Sequence, residues 1–305
     1  MAKTILMLHG RHFKPSKKEL QRLWIEALRF GIERDHPEKM PAFNKARVEL
    51  VYYGDISNAF LRDVLDPPDP NDLADRRASL AKLKQFKRSQ FTKAAYKNLL
   101  GYNPWMEALA DVVAGPLNFL SLSESIIQTG APDIREYWGS YPFGSDVRAS
   151  FTQAIVQAMK KPGDICVIAH SLGTIVAYDV FWKLSHYGEY RDKPWNRKID
   201  LWITLGSPLA DETVKDNLKG ANHAPADRYP TNVNHWLNIA AEDDFYSHDQ
   251  KVAGDFKGMK RLGYATSIKD KRIYNLAVRD GRSNPHHSAG YLIHPAVAEA
   301  VAAWL

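Results

Sequence analysis

The chain carries a serine at an unusual junction in "DICVIAHSLGTIVAYDV" (164–180). An apolar run rich in strand formers, Ile165 to Ala169, meets Ser171. Leu172, Ile175, Val176 and Val180 then follow at helical spacing. No proline or loop cluster separates the two patterns, so the join must be a tight turn with Ser171 on it. "AHSLG" (169–173) fits the form small-x-Ser-x-Gly. A serine at the apex of a strand-to-helix turn needs small residues two before and two after it, or strand and helix collide. Ala169 and Gly173 fill those places. The turn would expose the Ser171 hydroxyl and aim backbone N–H groups of the new helix at the same spot. The blander role is a serine that only caps helix 172–188. The flanking strand and helix favour the nucleophile.

Such a serine needs a base, and the base needs an orienting acid. On this kind of turn the partners are expected in the order Ser, Asp or Glu, His, each after a later strand. The run "VNHWLNIAAE" (233–242) leads into Asp243 and Asp244, and Glu242 ends it. After "RIYNLAVRD" (272–280) comes "GRSNPHHSAGYLIHP", with His286 and His287 adjacent and His294 before the last helix. Asp211, after "TLGSPL", is a further acid. His294 suits a cap or packing role. An oxyanion hole needs two backbone donors. Leu172 N–H, beside the nucleophile, is one. The other is expected from "HGRHF" after the first strand, as Arg11 N–H, with Gly10 allowing close approach. His9 and His12 read as structural. His170 reads as a packing or orienting group, because a base must reach the hydroxyl from across the site.

The elements that must hold these groups alternate along the chain. Strand-like runs are "TILMLHG" (4–10), "VELVYYGD" (48–55), "DICVIAHS" (164–171), "DLWITLGS" (200–207), 233–242 and 272–280. Most are near-continuously apolar, as strands covered on both faces are. Helical patterns occupy 17–34, 147–161, 172–188 and 295–305. The expectation is an α/β fold, with a mainly parallel sheet and helices on both faces. The whole of 1–305 reads as a single domain. Segment 56–145 breaks the alternation and reads as a helical insertion, a cap over the carboxyl edge of the sheet, where ligands bind in open α/β folds.

Composition narrows the function. The chain has 305 residues, 45% of them hydrophobic, and a net charge of +6. Segment 72–97 holds eight Lys or Arg against two Asp, which accounts for the whole excess. It reads as a solvated amphipathic face with Leu80, Leu83 and Phe91 turned inward. The sharper reading is contact with an anionic membrane surface; no nucleic-acid-binding module accompanies it. The single cysteine, Cys166, lies within an apolar run, which suits a reducing, cytoplasmic setting. No signal-peptide pattern and no apolar stretch of membrane-spanning length is present. Eleven histidines occur without an H-E-x-x-H helix or a cysteine ligand set, so a metal centre is not expected. "LHGRHFKP" is not the glycine-rich turn of a dinucleotide site.

With "LHG" (8–10), "AHSLG", "TLGSPL" (204–209), "WLNIAAEDDF" (236–245) and "HHSAGYLIHP" (286–295), the chain resembles α/β-hydrolases of the serine esterase and lipase type. Ala169 stands where glycine is commoner. The resemblance implies an α/β-hydrolase fold. It implies hydrolysis of a small-molecule carboxylic ester through an acyl-serine, with no cofactor. It also favours Asp244 over Asp243 as the acid and His286 over His287 as the base. Thioesterase, amidase and acyltransferase chemistry would use the same groups. A non-catalytic protein binding partners through its basic insertion is the alternative of another kind.

Overall fold

In the computed structural model the described residues are 3–99, 132–247 and 251–305. Residues 100–131, the centre of the expected insertion, lie outside them. Six strands form one sheet: β1 (Thr4–Leu8), β2 (Arg47–Val51), β3 (Ile165–His170), β4 (Ile199–Leu205), β5 (Val233–Ala241) and β6 (Ser267–Ile273). Their order is β2-β1-β3-β4-β5-β6, and every pairing is parallel. The chain steps outward from β1 to β2, then returns past β1 to β3 and continues the other way. The connections therefore diverge between β1 and β3, which opens a crevice at their carboxyl ends.

Side chains alternate across the strands and fill two layers. Ile5, Met7, Cys166 and Ile168 face one side, and Leu6, Leu8, Val167 and Ala169 face the other. The longer helices are α1 (Lys17–Asp35), α2 (Gly54–Val64), α3 (Asp72–Leu83), α4 (Pro132–Gly139), α5 (Tyr141–Met159) and α6 (Leu172–His186). Two more close the chain, the short α7 (Ser288–Leu292) and α8 (Pro295–Trp304). Leu20, Trp24 and Leu28 of α1, Leu80 and Leu83 of α3, Tyr291 of α7 and Val297 of α8 cover the first face. Tyr137 of α4, Phe151 and Ile155 of α5 and Val176, Val180 and Phe181 of α6 cover the second. Each buried Val, Leu, Ile or Phe contributes about 1.5–3 kcal/mol, so both layers are needed to hold the sheet. The fold is α/β, with a parallel sheet between helices.

Three expected boundaries change. The last strand is "SIKDKRI", not 272–280; Val278–Arg279 instead pairs antiparallel with Arg282–Ser283. β6 pairs on one side only, with Lys269, Asp270, Lys271 and Arg272 exposed. Charges on an edge strand discourage further pairing, and they also hide it from a search for apolar runs. α5 begins at Tyr141 rather than 147, because Ser140 Oγ accepts the Phe143 N–H and Pro142 suits the first turn. Segment 72–97 is not one helix: α3 ends at Leu83, and Lys93–Lys97 forms a separate short one. Leu80 and Leu83 are buried and Phe91 half-buried, as their spacing implied.

Candidate active site

Ser171 is the N-cap of α6, with φ 54° and ψ −127°, so the chain reverses there without a loop. A left-handed conformation at a non-glycine residue is costly, and it persists only where surroundings enforce it. Here the Ser171 N–H donates to Leu205 O (3.0 Å) and Thr174 N–H to Ser171 O (2.9 Å). Two glycines make room. A Cβ on Gly173 would come within 2.5 Å of His9 O, and one on Gly10 within 2.5 Å of Ser171 Cβ. The Gly10–Arg11 loop after β1 therefore lies directly against the serine. Leu172 N–H heads α6, where first-turn donors have no partner within the helix.

His286 and Asp244 arrive from the loops after β6 and β5. His286 Nε2 lies 2.9 Å from Ser171 Oγ, and its Nδ1 lies 2.9 and 3.0 Å from the two Asp244 oxygens. Nδ1 facing a carboxylate carries the proton, which leaves Nε2 to accept from the serine hydroxyl. Asp244 is buried and also accepts from Tyr291 Oη (2.5 Å) and Tyr246 N–H (3.1 Å). Burial alone would raise the pKa of this carboxyl. The charge and hydrogen bond of His286 and the Tyr291 hydrogen bond outweigh burial and hold it below its ordinary value. The arrangement can pull a proton from Ser171 and stabilise the imidazolium that results.

The adjacent candidates take other places. Asp243 sits in the turn before Asp244 with φ 61°, and His286 bonds Asp244 instead. His287 is buried behind His286, and neither of its ring nitrogens has a hydrogen-bond partner among the described residues. Asp211 caps the short helix Glu212–Asn217 by accepting Val214 N–H at 3.1 Å. His294 caps α8 by accepting Ala296 N–H at 3.0 Å. His9 is buried, donates from Nδ1 to Gly10 O (2.9 Å) and accepts Tyr53 N–H (3.1 Å), so it holds the Gly10 loop. His12 has φ 75° and donates its N–H to Asp133 Oδ2 (2.6 Å). The His170 ring lies tilted 4.7 Å from that of His286, and its Nε2 bonds the His286 backbone oxygen (2.9 Å), so it helps to hold His286 in place.

Three contributors carried no role at the sequence level. Gly206, in "TLGSPL", has φ 52°, and a Cβ there would lie 2.7 Å from Asp244 Oδ2 and 3.1 Å from His286 Nδ1. Tyr291, in "GYL", links the Ala241 N–H (2.8 Å) to Asp244. Tyr246 packs its ring 4.6 Å from that of His286, and the Arg11 guanidinium lies over the Tyr246 ring, 4.4 Å from its centroid. For Gly206, a glycine directly after a buried strand was the available signal.

The site opens into a cavity of about 440 Å³ lined by the Gly10–His12 loop, Lys14, Trp24, Arg76 of α3, Arg279, and His286 with His287. Among the described residues, the non-glycine residues with positive φ cluster here: His12 and Asp280 line the cavity, Ser171 faces His286, and Asp243 precedes Asp244. Among the described residues no group of three His, Cys, Asp or Glu is arranged to hold a metal ion, and no helix is long and apolar enough to cross a membrane. No family model, curated protein or solved structure matches the chain.

Proposed function

We propose that the protein is a serine hydrolase of the α/β-hydrolase type that cleaves a carboxylic ester through an acyl-serine. The observation that carries this reading is the hydrogen-bonded line Ser171–His286–Asp244, with the serine on a positive-φ strand-to-helix turn. The serine follows β3, the acid β5 and the base β6, the chain order expected of such hydrolases. In the proposed reaction, Ser171 Oγ attacks the ester carbonyl while His286 Nε2 takes its proton. The developing oxyanion is met by Leu172 N–H and Arg11 N–H. His286 then protonates the leaving alkoxide, and water repeats the sequence on the acyl-serine. Asp244 keeps the imidazole in its tautomer and balances its charge. No step calls for a metal or an organic cofactor. Asp72 and Arg76, from the expected insertion, line the cavity, which supports the reading of that segment as a pocket wall.

The test is a panel of 4-nitrophenyl esters of rising chain length, run beside a fluorophosphonate probe. Turnover of at least one ester with labelling of the protein is expected. Absence of both would leave the reading without support.

A further inference from the structure

One wall of the cavity is more cationic than its carboxylates require. Arg279 Nη2 lies 2.8 Å from Asp72 Oδ1, and its Nε pairs with Asp75. Arg76 Nε lies 2.6 Å from the other Asp72 oxygen. Lys14 adds a third cation; among the described residues its ammonium bonds backbone oxygens, those of Arg11, His12 (2.9 Å) and Phe13 (3.5 Å). Among the described residues, Lys14, Arg76 and Arg279 thus stand against Asp72 and Asp75 on this wall. Asp280 also lines the cavity but is exposed to water, and Arg11 has its own carboxylate, Asp133, at 3.9 Å. Burial, the largest cause, and the neighbouring Arg76 push the Lys14 pKa down to about 7, against the opposing charges of Asp133 and Asp72.

His287 lines the same cavity and is 7% exposed, with both ring nitrogens closed off from solvent. Burial and the charges of Arg76 and Arg279 hold its pKa well below the ordinary value, so the ring is neutral and Arg76 and Arg279 are left to carry the charge of this wall. Apolar lining is limited to Leu20 and Trp24, with the Tyr246 ring, among the described residues. Arg76 and Arg279 on the cationic wall suit a charged group.

We infer that the cavity beside Ser171 binds an oxyanion carried by the substrate, a carboxylate or a phosphate, through Arg76 and Arg279. The assignment of that anion to a substrate rests on the hydrolase reading; the anion site itself does not. Arginine meets either oxyanion with paired N–H groups, and such charge-assisted bonds are the strong ones.

The experiment compares the 4-nitrophenyl monoester of adipic acid with 4-nitrophenyl hexanoate, which has the same chain length without the charge. Spontaneous hydrolysis is subtracted. The kcat/KM ratio of anionic to neutral ester is expected to exceed about ten and to shrink with added salt. In Arg76→Gln that ratio should fall about tenfold, and Arg76→Lys, which keeps the charge, should retain part of it. Calorimetric titration with adipate and with inorganic phosphate tells the two anions apart. Binding of either to the wild type, weakened in Arg76→Gln, supports the site. A wild-type ratio at or below one, with neither anion binding, overturns it whatever the variants do. Should no ester turn over and the probe label nothing, the hydrolase reading fails alone. The titrations then decide the anion site, with binding upholding it and no binding ending it.

Discussion

His286 Nδ1 sits almost equally far from both oxygens of Asp244, at 2.9 and 3.0 Å, while its Nε2 stands 2.9 Å from Ser171 Oγ. The imidazole is therefore clamped on one side and free to exchange a proton only on the other. Tyr291 Oη and Tyr246 N–H complete the carboxylate, so Asp244 is held as firmly as the ring it orients.

That clamp separates the adjacent candidates. Asp244→Asn should lower ester kcat by about 10³–10⁴-fold, because the amide no longer secures the tautomer. Asp243→Asn should change kcat less than about threefold, since asparagine tolerates the φ of 61° found there. His286→Ala should cost several orders of magnitude and His287→Ala far less on a neutral ester. Steady-state kinetics on 4-nitrophenyl hexanoate reads all four. A milder loss at Asp244 than at Asp243, or at His286 than at His287, would displace the assigned pair.

Gly206→Ala attacks the same clamp from the neighbouring strand. At φ 52° with Asp244 Oδ2 2.7 Å from the new Cβ, the carboxylate or the backbone must move. The conformational term alone is about 1–2 kcal/mol. A lowered Tm with intact circular dichroism, and a kcat loss of about 10²-fold, is the expected result. Unchanged kcat would mean that Asp244 has slack the geometry does not show.

Stability should fall with acid well before the carboxylates titrate. Burial, the largest cause, lowers His9 and His294 to a pKa of about 3. An unfolded histidine titrates near 6.5, so from about pH 6.5 down to 3 the unfolded chain binds the extra proton and stability drops. Each of the two should contribute about 1.4 kcal/mol per pH unit within that window. His294→Asn keeps a capping oxygen for the Ala296 N–H and removes one titration. Denaturant midpoints from pH 7 to 4 should therefore slope less steeply in the variant. An equal slope would show that His294 is protonated in the folded chain.

The serine was legible from local sequence because strand, turn and helix are contiguous there and the steric demand is read directly. The residues alone did not separate Asp243 from Asp244 or His286 from His287; only the family resemblance favoured Asp244 and His286. Adjacent residues share every local preference, and only the turn at Asp243 decides which carboxyl points inward. Gly206 and Tyr291 act across strands and helices far apart in sequence, so their roles appear only with the fold. β6 was missed for a related reason: an exposed edge strand carries charges, and its identity comes from the pairing with β5.

The basic segment carries its own expectation. Lys82, Lys87 and Arg88 are exposed, whereas Arg76 and Lys84 are engaged with Asp72 and Glu26. Reversing those three exposed charges should leave the fold and any vesicle sedimentation nearly unchanged, since exposed charges contribute little. Salt-sensitive binding to anionic vesicles in the wild type, lost in the triple variant, would instead establish a membrane contact worth roughly 1 kcal/mol per residue.

The most direct measurement is fluorophosphonate labelling with mass-spectrometric mapping, on the wild type and on Ser171→Ala. Ser171 should carry the adduct, and the variant should fold normally, take no label and lose ester turnover by several orders of magnitude. An adduct on another serine, or labelling and turnover that persist in Ser171→Ala, would contradict the assignment of Ser171 as the nucleophile.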